Sequence, residues 1–140
     1  MMHRNVTEPA TLVLRHRKSN ADVPEKALMD FLALDRTSRM VTLGFPENKD
    51  PFTVNPAQAS FLRAGCLADF IRQSQDQEPE AVVEIDPDSP MGKNLAAMLD
   101  EGYTMEYAFA GLGMTDESGK TSFTEIAYVA VVQSAVQDGR

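Results

Sequence analysis

The chain has 140 residues, 43% of them hydrophobic, with a formal net charge of −8. This length suits one ordinary hydrophobic core and is too short for two, so we expect a single domain over residues 1–140. One cysteine and two histidines exclude an internal disulfide and leave little for a metal site, while the acidic balance argues against a nucleic-acid partner. We expect no cofactor.

The N-terminal arm, residues 1–20, differs in charge from the rest of the chain. It carries four basic side chains and one acidic, whereas the remainder carries 9 basic and 20 acidic. Residues 11–17 alternate like an edge strand that ends in charge. The basic cluster of Arg15, Arg17 and Lys18 is typical of a solvated strand end. Alternatively, this cluster is a docking site for an acidic surface, such as that of a neighbouring subunit.

Helix and strand signals then alternate along the chain. A helical apolar stripe predicts a helix over about residues 24–34, and an apolar run predicts a strand over 40–45. Residues 46–56 contain three prolines and form the longest irregular stretch, which is typical of a functional loop. An amide variant of a capping box at Asn55 to Gln58 predicts a helix that runs to about Gln75.

Residues 81–132 read as the unit around which the domain is organised. A short strand ends at Asp86-Pro87, because proline fixes φ and lacks an N–H group. Asp88 or Ser89 then caps a helix that ends at Gly102. From Tyr103 the apolar period becomes two, which predicts a strand with a large aromatic face.

After a turn at residues 116–119, the run from Ile126 to Val132 is apolar on both faces, which predicts a central strand covered on both sides. These elements predict an α+β fold. We expect a mixed or mostly antiparallel sheet with the C-terminal hairpin at its centre and about three helices packed on it.

The motifs that suggest catalysis fail on their spacing or context. The string GMTDESGKT resembles a phosphate-binding loop, but five residues separate Gly113 from Gly119 where the pattern allows four. It also lies between two strands, so a hairpin turn explains it better. An enzyme would need a cleft that joins His16 to Ser60, to Ser122 or to the glutamates. We therefore predict that the protein is not an enzyme.

Several short strings resemble the tailed-phage prohead core proteases, which are serine proteases of capsid maturation with a herpesvirus-assemblin-like fold. They are DSPMGKNL at residues 88–95, DEG at 100–102 and YAFAGLG at 107–113. By this resemblance the catalytic serine would fall at Ala108 or Phe109, and the segment expected to hold the histidine, 46–50, contains none. The resemblance therefore implies a scaffold that has lost its activity and kept a binding role.

The missing catalytic chemistry, the acidic body and the basic arm together predict a non-enzymatic structural or assembly protein. A phage capsid accessory or decoration protein would be one example. We expect it to act through protein–protein contacts, either by self-association or within a larger assembly. The candidate protein-contact residues are Arg15, Arg17, Lys18, Tyr103 and Tyr107.

The alternative hypothesis is a small binding or regulatory module that recognises a host protein or a small ligand. Residues 46–56 and the face of Tyr103 and Tyr107 would form its site. The N-terminal string MMHRNVTEPA has no apolar signal-peptide core, and no run approaches the ~20 apolar residues of a transmembrane helix. We thus expect a protein that is neither secreted nor membrane-bound, located in the cytoplasm or, if phage-encoded, in the virion or the host cytoplasm.

Overall fold

The structure is a computed structural model that describes residues 10–17, 21–45, 59–72 and 79–134. Its two longest strands are the last two in the chain, and they form a hairpin. The elements in chain order are β1 (Ala10–His16), β2 (Ala21–Asp22), α1 (Glu25–Leu32), the 3-10 turn η1 (Arg36–Ser38), β3 (Met40–Leu43), the 3-10 turn η2 (Ser60–Leu62), β4 (Arg63–Ile71), β5 (Glu80–Ile85), α2 (Pro90–Asp100), β6 (Met105–Thr115) and β7 (Thr121–Gln133).

Six of these strands close into a barrel. The order around it is β7, β3, β4, β5, β1, β6 and back to β7, while β2 adds a short parallel pairing at the start of β7. The β1–β6 and β3–β7 pairings are parallel, and the other four are antiparallel. The chain is thus a single small α+β domain, as expected, but its sheet is a closed barrel and not the open sheet that we predicted.

Strand β1 was expected at the edge of the sheet, and that expectation is wrong. It pairs with β5 over Ala10 to Leu14 and with β6 through Arg15 and His16. The charges at its end suggested an edge, since charge commonly protects exposed strands from pairing. In the barrel Arg15 is exposed, and Arg17 Nε lies 3.4 Å from Glu106 Oε1.

The helix predicted over residues 55–75 is wrong from Arg63 on, whereas Ala59 is helical and Ser60–Leu62 form η2. Residues 63–71 form strand β4, which pairs with β3 on one side and β5 on the other. Ala64, Leu67 and Ala68 favour helix in isolation, but ladder pairing on both sides outweighs that preference. Parts of the prediction, at 55–58 and 73–75, lie outside the described residues, as does the whole of the loop predicted at 46–56.

The main core fills the barrel interior. Alternate residues of β6 point inward, and α1 lies against the barrel with its buried stripe. The fully buried residues of the main core include Phe31, Val41, Leu67, Val83, Leu95, Tyr107, Val129 and Val131. A smaller cluster on the other face of the hairpin joins Ala110, Tyr128 and Ala130 to Ala59. Strand β7 is therefore covered on both faces, as its sequence indicates.

Helix α2 begins and ends at the predicted residues. Ser89 Oγ accepts a hydrogen bond from the Gly92 backbone N–H at 2.9 Å, and Pro90 occupies the first turn. Gly102 follows the helix with a φ of +93°, a conformation that side chains rarely adopt. The described residues contain two α-helices, α1 and α2, where we expected about three.

We predict that Gly65→Ala destabilises the protein by about 1–3 kcal/mol, the usual cost of overpacking. Gly65 lies in β4, and a Cβ atom there would approach the Glu84 carbonyl oxygen of β5 to 2.0 Å. Because that oxygen belongs to the backbone, the two strands would have to separate locally. Urea denaturation measures the change, and an unaltered midpoint would contradict the close approach of the strands.

The turn between β6 and β7 is held by Asp116, whose Oδ1 accepts hydrogen bonds from the Ser118 hydroxyl at 2.6 Å and from the Ser118 and Lys120 backbone N–H groups at 2.9 Å. The Ser118 hydroxyl is the main cause that lowers the Asp116 pKa below 3.8, followed by the Lys120 amide. At pH values above the pKa of the unfolded state, the ionised Asp116 carboxylate stabilises the folded protein. This stabilisation is lost as the pH falls through the lowered pKa of the folded state.

We therefore expect Ser118→Ala to raise the Asp116 pKa toward its ordinary value. The measurement is a carboxyl-carbon NMR titration of the folded protein. Ser38→Ala, an exposed serine in η1, is the matched control and should leave the titration unchanged. An Asp116 midpoint that does not move in Ser118→Ala would rule out the hydroxyl as the main cause.

Candidate functional site

A cavity of about 450 Å³ lies where β1, β6 and the start of β7 meet the N-terminal end of α1. This volume falls within the range of small-molecule sites in proteins. Its walls come from six separate segments of the chain. The lining residues are His16, Ala21, Asp22, Val23, Pro24, Leu28, Arg72, Pro79, Tyr107, Phe109 and Ser122.

Three aromatic rings that pack against one another form one wall of the cavity. The His16 ring lies 4.9 Å from that of Tyr107 and 5.2 Å from that of Phe109, measured between ring centroids. The parallel pairing of β1 with β6 places His16 directly beside Tyr107. Tyr107 and Phe109 meet edge to face at 5.2 Å, an arrangement that aromatic pairs prefer. The wall is therefore fixed by strand register and by ring packing together.

Tyr107 also joins β6 to the segment that precedes β5. Its hydroxyl donates a hydrogen bond to the Pro79 carbonyl oxygen at 2.6 Å, and both residues are buried. A buried carbonyl that loses its donor keeps its desolvation cost. This bond therefore holds one side of the cavity in place and contributes to stability.

Other residues of the cavity lining are charged or polar. Arg72 Nη1 lies 3.3 Å from Glu25 Oε1, and Asp22 Oδ2 lies 2.8 Å from Lys120 Nζ, a hydrogen bond that raises the Lys120 pKa. Ser122 pairs with Asp22 in the β2–β7 register. A guanidinium has five N–H donors, so contact with Glu25 through Nη1 leaves Arg72 able to donate to a ligand.

His16 and Ser122 line the same cavity, which is the arrangement that an enzyme would require of them. Shared lining alone assigns no catalytic role, because a nucleophilic serine also needs its hydroxyl within hydrogen-bond reach of a base. Two of the three sheet glutamates have other partners: Glu84 is paired with Arg36 and Glu106 with Arg17. Across the described part of the chain, no three His, Cys, Asp or Glu residues group as a metal site would need.

The five candidate contact residues are separated in the structure. Arg15 is exposed, whereas Arg17 is half-buried, ion-paired with Glu106 and hydrogen-bonded to the Gln133 carbonyl oxygen. Lys18 lies outside the described residues. Tyr103 precedes β6 and is 43% exposed, but Tyr107 is fully buried, so its side chain cannot take part in a surface contact. The strand period suggested a shared face for the two tyrosines, yet only Tyr107 belongs to the strand.

Sequence reasoning missed Asp22 and Arg72 as members of a site. Asp22 directly precedes Val23 and Pro24 at the start of α1, and Arg72 directly follows β4. A strand prediction for residues 63–71 would have placed Arg72 at a strand end, where binding residues commonly lie. The predicted helix instead assigned it to a helical surface.

No helix among the described residues is long and apolar enough to cross a membrane. Comparison of the chain with protein-family models, with curated protein sequences and with solved structures gave no match.

We predict that Tyr107→Phe destabilises the protein by about 1–3 kcal/mol, because it leaves the buried Pro79 carbonyl without this donor. Tyr103→Phe is the matched control. It removes the same hydroxyl from a half-exposed side chain and should change the free energy of unfolding by less than about 0.5 kcal/mol. Urea denaturation of both variants measures the difference, and equal effects would refute the assigned role of the Tyr107 hydroxyl.

Proposed function

We propose that the protein is a small binding module that holds a small amphipathic molecule in the cavity beside β1 and β6. The observation that carries this proposal is one cavity of about 450 Å³ with an apolar part and convergent polar groups. Sites for small molecules typically combine a largely apolar lining with a few polar side chains that fix orientation.

The two parts of the lining suggest the two ends of the ligand. Val23, Leu28 and Phe109 offer apolar contact, which favours a hydrocarbon or aromatic body. Arg72 and Ser122 can donate hydrogen bonds, which favours an anionic or other acceptor group at the polar end. The ligand class is therefore a small organic anion with an apolar body.

The assembly role expected from the sequence stays a prediction, as does the resemblance to the prohead proteases. The cavity favours the alternative hypothesis, that of a small binding module, in its small-ligand form. A virion location and a phage capsid partner likewise stay predictions. A binding module can also associate with itself, so the two hypotheses are compatible.

We expect saturable binding of 1-anilinonaphthalene-8-sulfonate, an aromatic anion, to the folded protein. Arg72→Gln should weaken this binding about tenfold, because a hydrogen bond to a charged group contributes about 1.5 kcal/mol or more. Fluorescence titration measures the affinity, and octanoate should compete with the probe.

Arg36→Gln is the matched control for this experiment. Arg36 also forms a surface ion pair, with Glu84, but it does not line the cavity. The control should bind the probe as the unaltered protein does. Equal losses in both variants, or the absence of saturable binding of both the probe and octanoate, would contradict the proposal.

A further inference from the structure

Strand β6 has an edge that β1 covers for only part of its length. β1 pairs with β6 at Glu106 and Tyr107, and the Arg17 backbone N–H donates to the Tyr107 carbonyl oxygen at 2.8 Å. Beyond Tyr107, no strand in the described ranges pairs with this edge of β6. Backbone polar groups alternate in direction along a strand. Those of Gly111, Gly113 and Thr115 therefore point away from β7, on the side that β1 leaves open.

This open edge lacks the features that usually protect strand edges. Residues 108–115, AFAGLGMT, contain no charge and no proline, although exposed edges are normally protected by such residues. Two large apolar side chains lie exposed at its end, Leu112 at 53% and Met114 at 69%. An unprotected edge with exposed apolar side chains marks a surface for strand addition.

We propose that the β6 edge pairs with the same edge of a second copy of this chain, antiparallel and about a two-fold axis. With Gly113 opposite its own copy, Leu112 of one protomer lies opposite Met114 of the other on the outer face. A two-fold interface needs one self-complementary patch, and this edge supplies it. Pairing of the two edges would also give partners to backbone groups that no described strand pairs.

Charge complementarity favours a second copy over an unrelated strand. The antiparallel direction brings the partner's turn back along β6 until it meets the end of β1. That turn carries Asp116 and Glu117, while the end of β1 carries Arg15 on its outer face. Counted in this register, the partner's turn at residues 116–119 comes level with residues 107–110 of β6, next to the Glu106 position with which Arg15 pairs. Opposite charges arranged in this way fix register and orientation.

The experiment is sedimentation velocity of the full chain over a wide range of concentration, with folding of each variant checked by circular dichroism. The unaltered protein should form dimers. Met114→Lys should weaken the dimer about tenfold or more, since it places a charge where an apolar side chain would be buried. Met29→Lys is the matched control: Met29 is 56% exposed on α1, and its substitution should leave the dimer intact.

A charge exchange tests the register. Glu117→Arg and Arg15→Glu should each weaken the dimer, and the double variant should restore it. Failure of the double variant to recover would overturn the proposed register. If the unaltered protein is a monomer at every concentration, the proposal is overturned. It is also overturned if the Met114→Lys variant forms dimers as strongly as the Met29→Lys variant does.

Discussion

Closure of the barrel depends on a short parallel pairing between β1 and β6. β1 is held to β5 by a longer antiparallel ladder over Ala10 to Leu14, but it meets β6 through only Arg15 and His16, with one further hydrogen bond from the Arg17 amide. Parallel pairing is slightly less stable per residue than antiparallel pairing. Without this seam the same strands would form an open sheet with β1 and β6 at its two edges.

The seam also builds the cavity. It places the ring of His16 against Tyr107 and Phe109, which forms the aromatic wall. Because β1 pairs with β6 only as far as Tyr107, no described strand covers the rest of that β6 edge. β2 and α1 complete the lining of the cavity. One constraint thus links the closed core, the proposed ligand site and the proposed self-association edge. Residues at the seam contribute both to stability and to the proposed ligand site, and Tyr107 is the clearest case because it is fully buried and also lines the cavity.

Local patterns predicted the elements whose stability is local. Helix α2 follows from the Ser89 cap and Gly102, and the two faces of β7 follow from the apolar run that begins at Ile126. β4 could not be predicted in this way, because its residues favour helix and only pairing with β3 and β5 makes them a strand. Closure of the barrel could not be predicted from the sequence for the same reason. Nothing near β1 in the sequence indicates that β6, about 90 residues later, is its neighbour. The cavity is formed by closure of the barrel, so no sequence motif marked Asp22 and Arg72 as members of a site.

The most direct test of this account is hydrogen exchange of the Arg17 backbone amide, measured by NMR on the native protein. That amide donates to the Tyr107 carbonyl oxygen across the seam, and a hydrogen-bonded amide in a cooperative core exchanges only when the structure opens. The account predicts that Arg17 is protected to a degree comparable with the amides of the β4–β5 ladder. Exchange of Arg17 at the rate of an exposed amide, with the β4–β5 ladder still protected, would show an open sheet and contradict the closed barrel.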